Sequence, residues 1–150
     1  MRYFIIAGEV SGDHYAKQLM QALTQADPLA EFMYRGPDTR TAVMGFVEVA
    51  ARMGSIIKDL SRCKKDLVQY NPDVLVLIDY PGFNLSMARF AFRRGIKTFY
   101  YIAPKVWASR ECRVKKIRKY VSQLYVIFPF ETDYFRSKRI DAVYLGNPVL

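Results

Sequence analysis

The chain has 150 residues, the length of a single domain, and its 51% hydrophobic and 25% charged residues give a globular composition that argues against intrinsic disorder. Its apolar runs are far shorter than the ~20 residues of a membrane-spanning helix, and Cys63 and Cys112 are too few for a disulfide scaffold or a cysteine zinc site. The formal net charge of +9 favours anionic partners, such as phosphorylated metabolites, nucleic acid or an anionic membrane surface.

Short apolar runs alternate with segments of helical periodicity along the chain. The apolar runs predict strands at residues 3–7, 32–35, 74–79, 98–102, 123–128 and 142–145. The segments between them predict helices at 13–26, 43–70 (with Gly54 as a point of interruption), 83–94, 110–120 and 131–138. This alternation predicts a Rossmann-like α/β domain, with a parallel sheet of five to seven strands and helices on both faces. For the first helix, the predicted buried face is Tyr15, Leu19, Ala22, Leu23 and Ala26.

The loop after the first predicted strand is the first candidate site. It reads Gly8-Glu9-Val10-Ser11-Gly12-Asp13 and leads into a helix, whose N-terminal N–H groups favour an anion. The same residues also suit a simple capped turn, because Ser11 and Asp13 are good N-cap residues. The loop is neither a G-x-G-x-x-G motif nor a P-loop, which argues against a standard dinucleotide or ATP site.

The second candidate site follows the buried run at residues 74–78. Asp79 comes at the carboxyl end of this run, where open α/β sheets bind their ligands, and Asn84 lies near the start of the next helix. A carboxylate at this place can take a proton from a substrate hydroxyl, or it can cap the neighbouring helix. After the next strand, Lys105 and Trp107 are candidates for lining a ligand pocket, although Trp107 also suits the edge of the core.

Metal and cofactor chemistry have little support in the sequence. His14 is the only histidine, and the two cysteines lie far apart in predicted helices. The residues therefore predict neither a metal site nor a cofactor.

Cations are concentrated in one part of the chain, where Glu111 is the only acid. They are Arg89, Arg93, Arg94, Lys97, Lys105, Arg110, Arg113, Lys115, Lys116, Arg118 and Lys119. A solvated helix face and a functional anion-facing surface both account for such a run. A nucleic-acid-binding domain is disfavoured, because no helix-turn-helix, zinc-finger or RNP pattern accompanies the charge.

Eight short motifs occur in a fixed order along the chain. They are AGEVSGD (7–13), VMGFVEV (43–49), PDVLVLIDYPGFN (72–84), GIKT (95–98), YIAPKVWA (101–108), RVKKI (113–117), PFE (129–131) and YLGNP (144–148). This series resembles the N-terminal half of the lipid-A-disaccharide synthase family. Each motif alone is weak, whereas the ordered series over nearly the whole chain is specific.

The resemblance implies a two-domain GT-B glycosyltransferase that needs no metal and inverts the anomeric centre. Its substrates would be UDP-2,3-diacylglucosamine and 2,3-diacylglucosamine 1-phosphate (lipid X), and its products the lipid A disaccharide 1-phosphate and UDP. Residues 1–150 would form a single acceptor-side domain that lacks the C-terminal donor domain and is inactive alone. The implied location is cytoplasmic, at the inner membrane of a Gram-negative bacterium, with the basic stretch facing anionic lipid.

The resemblance also assigns roles to the candidate residues. Asp79 falls on the family's I-D-x-P aspartate, which implies a general base or a positioning group for the acceptor hydroxyl, and Glu9 is its rival. The residues expected to bind substrate are Gly8, Ser11, Gly12, Asp13, Asn84, Lys105 and Trp107. The chain departs from the family at Gly82, where many members have Asp, at Ser109, where many have Trp, and in a shortened segment between Asp38 and Val43.

A different class of function is a stand-alone module with a flavodoxin-like sheet that binds a nucleotide or another anion. A reading frame that continues into a second Rossmann-like domain would favour the glycosyltransferase over this module.

Overall fold

A computed structural model describes residues 1–36, 46–106 and 111–148, with the backbone alone at residues 46–53. These residues form one parallel sheet of six strands in the order β2-β1-β3-β4-β5-β6. The strands are β1 (Arg2–Ala7), β2 (Glu31–Arg35), β3 (Val74–Ile78), β4 (Lys97–Tyr101), β5 (Gln123–Val126) and β6 (Ala142–Tyr144). The described helices are α1 (Val10–Ala26), α2 (Phe46–Tyr70), α3 (Pro81–Arg93), α4 (Cys112–Tyr120) and α5 (Pro129–Ser137).

The helices cover both faces of the sheet, as the alternating pattern predicts. On one face, α1 packs on β1 and β3 through Ala16 and the half-buried Leu19. On the other face, α2, α3, α4 and α5 pack on side chains such as Phe4, Leu77 and Tyr100. All five residues of β3 are buried, because this strand lies between other strands and beneath helices on both sides.

The start of α1 and its buried face differ from the prediction. The helix begins at Val10, three residues before the predicted start, so the expected N-caps Ser11 and Asp13 lie inside it. Ala22 and Ala26 are exposed, whereas Gly12 and Ala16 are buried. The earlier start brings Gly12 into the helix, where it lies on one face with Ala16 and Leu19.

The remaining helix ends follow ordinary signals. Helix α2 continues through Gly54 without a break, since an exposed glycine in a long helix costs only about 1 kcal/mol. Gly95 ends α3 with a φ of 72°, as expected for a C′ residue. Within the described part of the chain, no helix is both long enough and apolar enough to cross a membrane.

Candidate functional site

The two candidate loops lie side by side at one edge of the sheet. Strands β1 and β3 are parallel neighbours, and Ala7 pairs with Ile78 at their carboxyl ends. The residues that follow them, Gly8 and Asp79, therefore leave the sheet at the same edge. The strand beyond, β4, ends there too, because Tyr101 pairs with Ile78.

The turn after β3 has a backbone that non-glycine residues rarely adopt. Asp79 and Tyr80 have φ values of 48° and 46°, and Ile102, after the neighbouring strand β4, has a φ of 63°. Such conformations cost of order 1–3 kcal/mol each and persist where the surrounding structure fixes them. The N–H of Asp79 donates to the carbonyl of Ile102 at 3.3 Å, which links the two strained segments.

Two buried side chains hold the carbonyl of Asp79. The Tyr100 hydroxyl donates to it at 2.6 Å, and the Asn84 amide donates to it at 2.8 Å and to the Ile78 carbonyl at 3.2 Å. Asn84 is fully buried. Its amide nitrogen therefore holds the turn from within the protein, and the expected contact of Asn84 with substrate stays a prediction.

A cavity of about 310 Å³ opens beside this turn. It lies at the carboxyl ends of β3, β4 and β5, and its lining residues are Asp79, Pro81, Ile102, Ala103, Lys105, Arg113, Ile127 and Glu131. Of the residues expected at a site, Asp79 and Lys105 are brought together here. Trp107 lies outside the described residues.

The Asp79 side chain is half-buried at this cavity. Burial raises the pKa of its carboxyl group, while the N–H of Tyr80 and the charge of Lys105 act in the opposite direction. A carboxylate that loses hydration in this way becomes a better proton acceptor.

The cavity also contains two charged residues that sequence reasoning did not single out as site residues. Arg113 comes from α4, and Glu131 comes from α5. Glu131 is 1% exposed, and its Oε2 accepts hydrogen bonds from the N–H groups of Ile127 at 3.2 Å and Phe128 at 3.0 Å. Its place three residues after the helix N-cap was the available signal, since a glutamate there commonly reaches back to the cap.

The loop after β1 does not line this cavity. Gly8 lies against Tyr80, so a Cβ at this position would overlap the base of the tyrosine side chain. Gly12 is buried, and its hydrogen faces Ala7, whose Cβ would be 3.2 Å from an added Cβ. Glu9 and Ser11 are exposed, and Glu9 caps α1 without a side-chain hydrogen bond.

The other carboxylate of the loop after β1, Asp13, is held by contacts with two neighbouring side chains. Asp13 accepts a 2.6 Å hydrogen bond from the Tyr34 hydroxyl and pairs with Lys17 at 2.9 Å. These contacts lower the pKa of Asp13 and connect α1 to β2. Among the residues that the structure describes, no group of His, Cys, Asp and Glu is arranged to hold a metal ion.

The fold and the cavity at its carboxyl edge define a Rossmann-like α/β domain of the GT-B class. Two solved structures have the same fold at low sequence identity. The UDP-GlcNAc 2-epimerase from Neisseria meningitidis bound to UDP-GlcNAc matches with a TM-score of 0.70 and 10% identity, over 99% of this chain and 47% of that one. The S. aureus MnaA structure with UDP matches with a TM-score of 0.71 and 12% identity, over 97% and 44%.

The chain belongs to the lipid-A-disaccharide synthetase family, whose model matches residues 3–150. The lipid-A-disaccharide synthases of Trichlorobacter lovleyi and Geobacter metallireducens are each 39% identical to it over 161 residues. These matches cover 99% of the chain, which spans 42% of the length of each relative. The matched stretch is longer than the 150 residues of this chain. The shortening expected between Asp38 and Val43 lies outside the described residues and stays a prediction.

Proposed function

We propose that this chain is the acceptor-side part of a glycosyltransferase of lipid A biosynthesis. The observation that carries the proposal is Asp79, a half-buried carboxylate at the cavity, on the aspartate of a family-specific motif. The substrates proposed are UDP-2,3-diacylglucosamine and 2,3-diacylglucosamine 1-phosphate. Family membership is the reason to prefer this function to a stand-alone module that binds nucleotides or other anions.

In the proposed reaction, Asp79 accepts the proton of the acceptor hydroxyl as that oxygen attacks the anomeric carbon of the donor sugar. The bond from this carbon to the UDP oxygen breaks, UDP leaves with the electron pair, and the anomeric configuration inverts. A positioned base of this kind contributes typically 10²–10⁴-fold to the rate. The constrained backbone of Asp79 supports this role, as does the hydrogen bond from the Tyr100 hydroxyl to the Asp79 carbonyl. Both fix the backbone position from which the Asp79 side chain extends.

The donor would be bound by a second domain outside residues 1–150. This arrangement makes the chain inactive alone, because the reaction requires both sugars to be held in register. Positioning of this kind accounts for ~7–11 kcal/mol of the barrier in favourable intramolecular cases.

We also propose that the complete protein is cytoplasmic and binds the anionic surface of the inner membrane. Helices α3 and α4 pack together and present exposed cations, among them Arg89, Arg93, Lys116 and Lys119. Phe92 is 49% exposed beside them and packs edge-on against Tyr120. Cosedimentation with phosphatidylglycerol vesicles, compared with phosphatidylcholine vesicles, tests this proposal, and Arg93→Glu with Lys119→Glu should abolish the difference.

The decisive experiment is a transfer assay on the complete polypeptide that carries this chain, with the two diacylated substrates in mixed micelles. We expect one disaccharide 1-phosphate per UDP released, a β linkage in the product, and no product from residues 1–150 alone. Epimerisation of UDP-GlcNAc at C2 without disaccharide formation would contradict the proposal. Disaccharide formed by residues 1–150 alone would contradict the proposal that a second domain binds the donor.

A further inference from the structure

The cavity is lined by two cations, Lys105 and Arg113, and by two carboxylates, Asp79 and Glu131. Glu131 is 1% exposed and already accepts hydrogen bonds from two backbone N–H groups, whereas Asp79 is half-buried at the cavity. Arg113 is half-buried, and within the described residues it has no ion pair or hydrogen bond. Two other partly exposed or exposed arginines differ from it, since Arg35 pairs with Asp66 and Arg118 donates to the Lys138 carbonyl at 3.0 Å. A half-buried guanidinium at a cavity wall is therefore available to an anionic ligand.

Arg113 lines the same cavity as the proposed base, Asp79. The positive charge of Arg113 lowers the pKa of Tyr100, against the larger upward effects of burial and the Asp79 charge, so the guanidinium lies within electrostatic reach of that hydroxyl. The same hydroxyl donates to the Asp79 carbonyl at 2.6 Å. Lys105, which is exposed, lies at the same cavity, and its charge acts on Asp79.

We propose that Arg113 and Lys105 form the subsite for the phosphate monoester of the acceptor sugar, while Asp79 takes a hydroxyl of the same molecule. This inference rests on the proposed glycosyltransferase function and adds to it the residues that recognise the phosphate. A phosphate monoester has a charge of nearly −2 at neutral pH, and two cations compensate it. The planar guanidinium can donate two parallel hydrogen bonds to phosphate, whereas Lys105 acts as a point charge at the rim.

The volume of the cavity fits a single sugar that carries one phosphate. Its volume of about 310 Å³ is at the lower end of the range for small-molecule pockets, roughly 300–1,000 Å³. A single sugar with its phosphate suits this space better than a complete nucleotide sugar does. The acyl chains would then lie outside the described cavity.

A substrate comparison in the complete polypeptide tests the subsite. The acceptors are 2,3-diacylglucosamine 1-phosphate and 2,3-diacylglucosamine without the phosphate. We expect Arg113→Gln to raise the KM for the phosphorylated acceptor at least about tenfold, because a charge-assisted bidentate contact is lost. The KM for the donor and the rate with the unphosphorylated acceptor should stay within about twofold of the unmodified protein. Arg113→Lys should be intermediate, because it keeps the charge without the bidentate geometry.

Arg62→Gln is the matched control, because Arg62 is an exposed arginine on α2 that lies outside the cationic surface of α3 and α4 and does not line the cavity. It should leave the preference for the phosphorylated acceptor unchanged. Equal losses with both acceptors in Arg113→Gln would overturn the subsite, since they would mean that Arg113 acts on the fold or on Asp79. An effect of Arg62→Gln as large as that of Arg113→Gln would also overturn it.

Binding measurements separate this proposal from the proposed function. Glucosamine 1-phosphate and glucosamine are titrated into the complete polypeptide by calorimetry, with and without Arg113→Gln. Arg113-dependent binding of the phosphorylated sugar in a protein that transfers no sugar would support the subsite and contradict the glycosyltransferase. Sugar transfer with a phosphate preference independent of Arg113 would support the glycosyltransferase and overturn the subsite.

Discussion

The loop after β1 and the turn after β3 occupy neighbouring places at one edge of the sheet but have different environments. Each follows a buried strand and carries carboxylates and glycine, and Gly8 contacts Tyr80 across the gap between them. The loop directs Glu9 into solvent and holds Asp13 in contacts with Tyr34 and Lys17. The turn places Asp79 in partial burial at a cavity.

This difference shows that two carboxylates at the same edge of the sheet can have opposite pKa shifts. Burial raises the pKa of Asp79, whereas two donors lower that of Asp13. A carboxylate stabilised by donors is a weak base, and one that has lost hydration is a stronger base. The contrast between the two carboxylates supports the proposal that Asp79 is the base.

The largest effect we expect is on turnover. In the complete polypeptide, Asp79→Asn should keep the fold and lose at least about a hundredfold in kcat, because the amide cannot accept the hydroxyl proton. Glu9→Gln should lose less than about threefold, since Glu9 is exposed and does not line the cavity. Steady-state kinetics with saturating donor and acceptor measure both variants.

Asp141→Asn is the matched control, because Asp141 is exposed just before β6, at the opposite edge of the sheet. If Asp79→Asn keeps near-normal turnover and Glu9→Gln is inactive, the base is Glu9 and the comparison is reversed. If both variants remain active, the motif is structural and the proposed proton transfer is wrong.

A second, smaller effect tests the contact between the two regions. Gly8→Ala should lower the free energy of unfolding by about 1–3 kcal/mol, because the new Cβ overlaps the base of the Tyr80 side chain, which cannot easily turn away. Turnover should fall as well, since Tyr80 follows Asp79 in the chain. Denaturant unfolding and kinetics on the same preparations measure the two quantities.

The matched variant removes the obstacle. Tyr80→Gly removes the whole side chain, including the Cβ that would lie 2.4 Å from an added Cβ at Gly8. Gly8→Ala should therefore cost less in this background than alone, and the double variant should be more stable than the sum of the two single effects predicts. Additive effects of the two substitutions would mean that Gly8 and Tyr80 do not restrict each other.

Much of the fold follows from local signals in the sequence, whereas the cavity depends on contacts that periodicity cannot reveal. Apolar runs and Gly95 predict strands and a helix end, because period and backbone freedom are local properties. The same rules misplace the start of α1, since Glu9 is an unusual N-cap. The position of Asp79 follows from its place after a buried strand. Arg113 and Glu131 line the cavity from α4 and α5, which are far from Asp79 in the sequence and come near it only in the folded chain.

The smallest effect concerns the pH dependence of the free energy of unfolding. It compares Asp79, in the turn after β3, with Asp13, which follows β1. The pKa of Asp79 is raised above its ordinary value of 3.8 by burial, so the ionised form destabilises the folded state at neutral pH. Asp79→Asn should therefore be more stable than the unmodified protein at pH 7. This difference should shrink as pH falls through the raised pKa and vanish below about 3.8, where Asp79 is protonated in both states.

Asp13 should behave with the opposite sign. Its pKa is lowered by the hydrogen bonds from Tyr34 and Lys17, so its ionised form stabilises the folded state at pH values above 3.8. Asp13→Asn should be less stable than the unmodified protein at pH 7, and the difference should disappear as pH falls through the lowered pKa. The effect is small, because the Asp13 side chain is 31% exposed and water screens the pair. Urea unfolding of the complete polypeptide from about pH 3 to pH 8 measures both curves, and curves of the same sign would mean that the two carboxylates do not differ in environment.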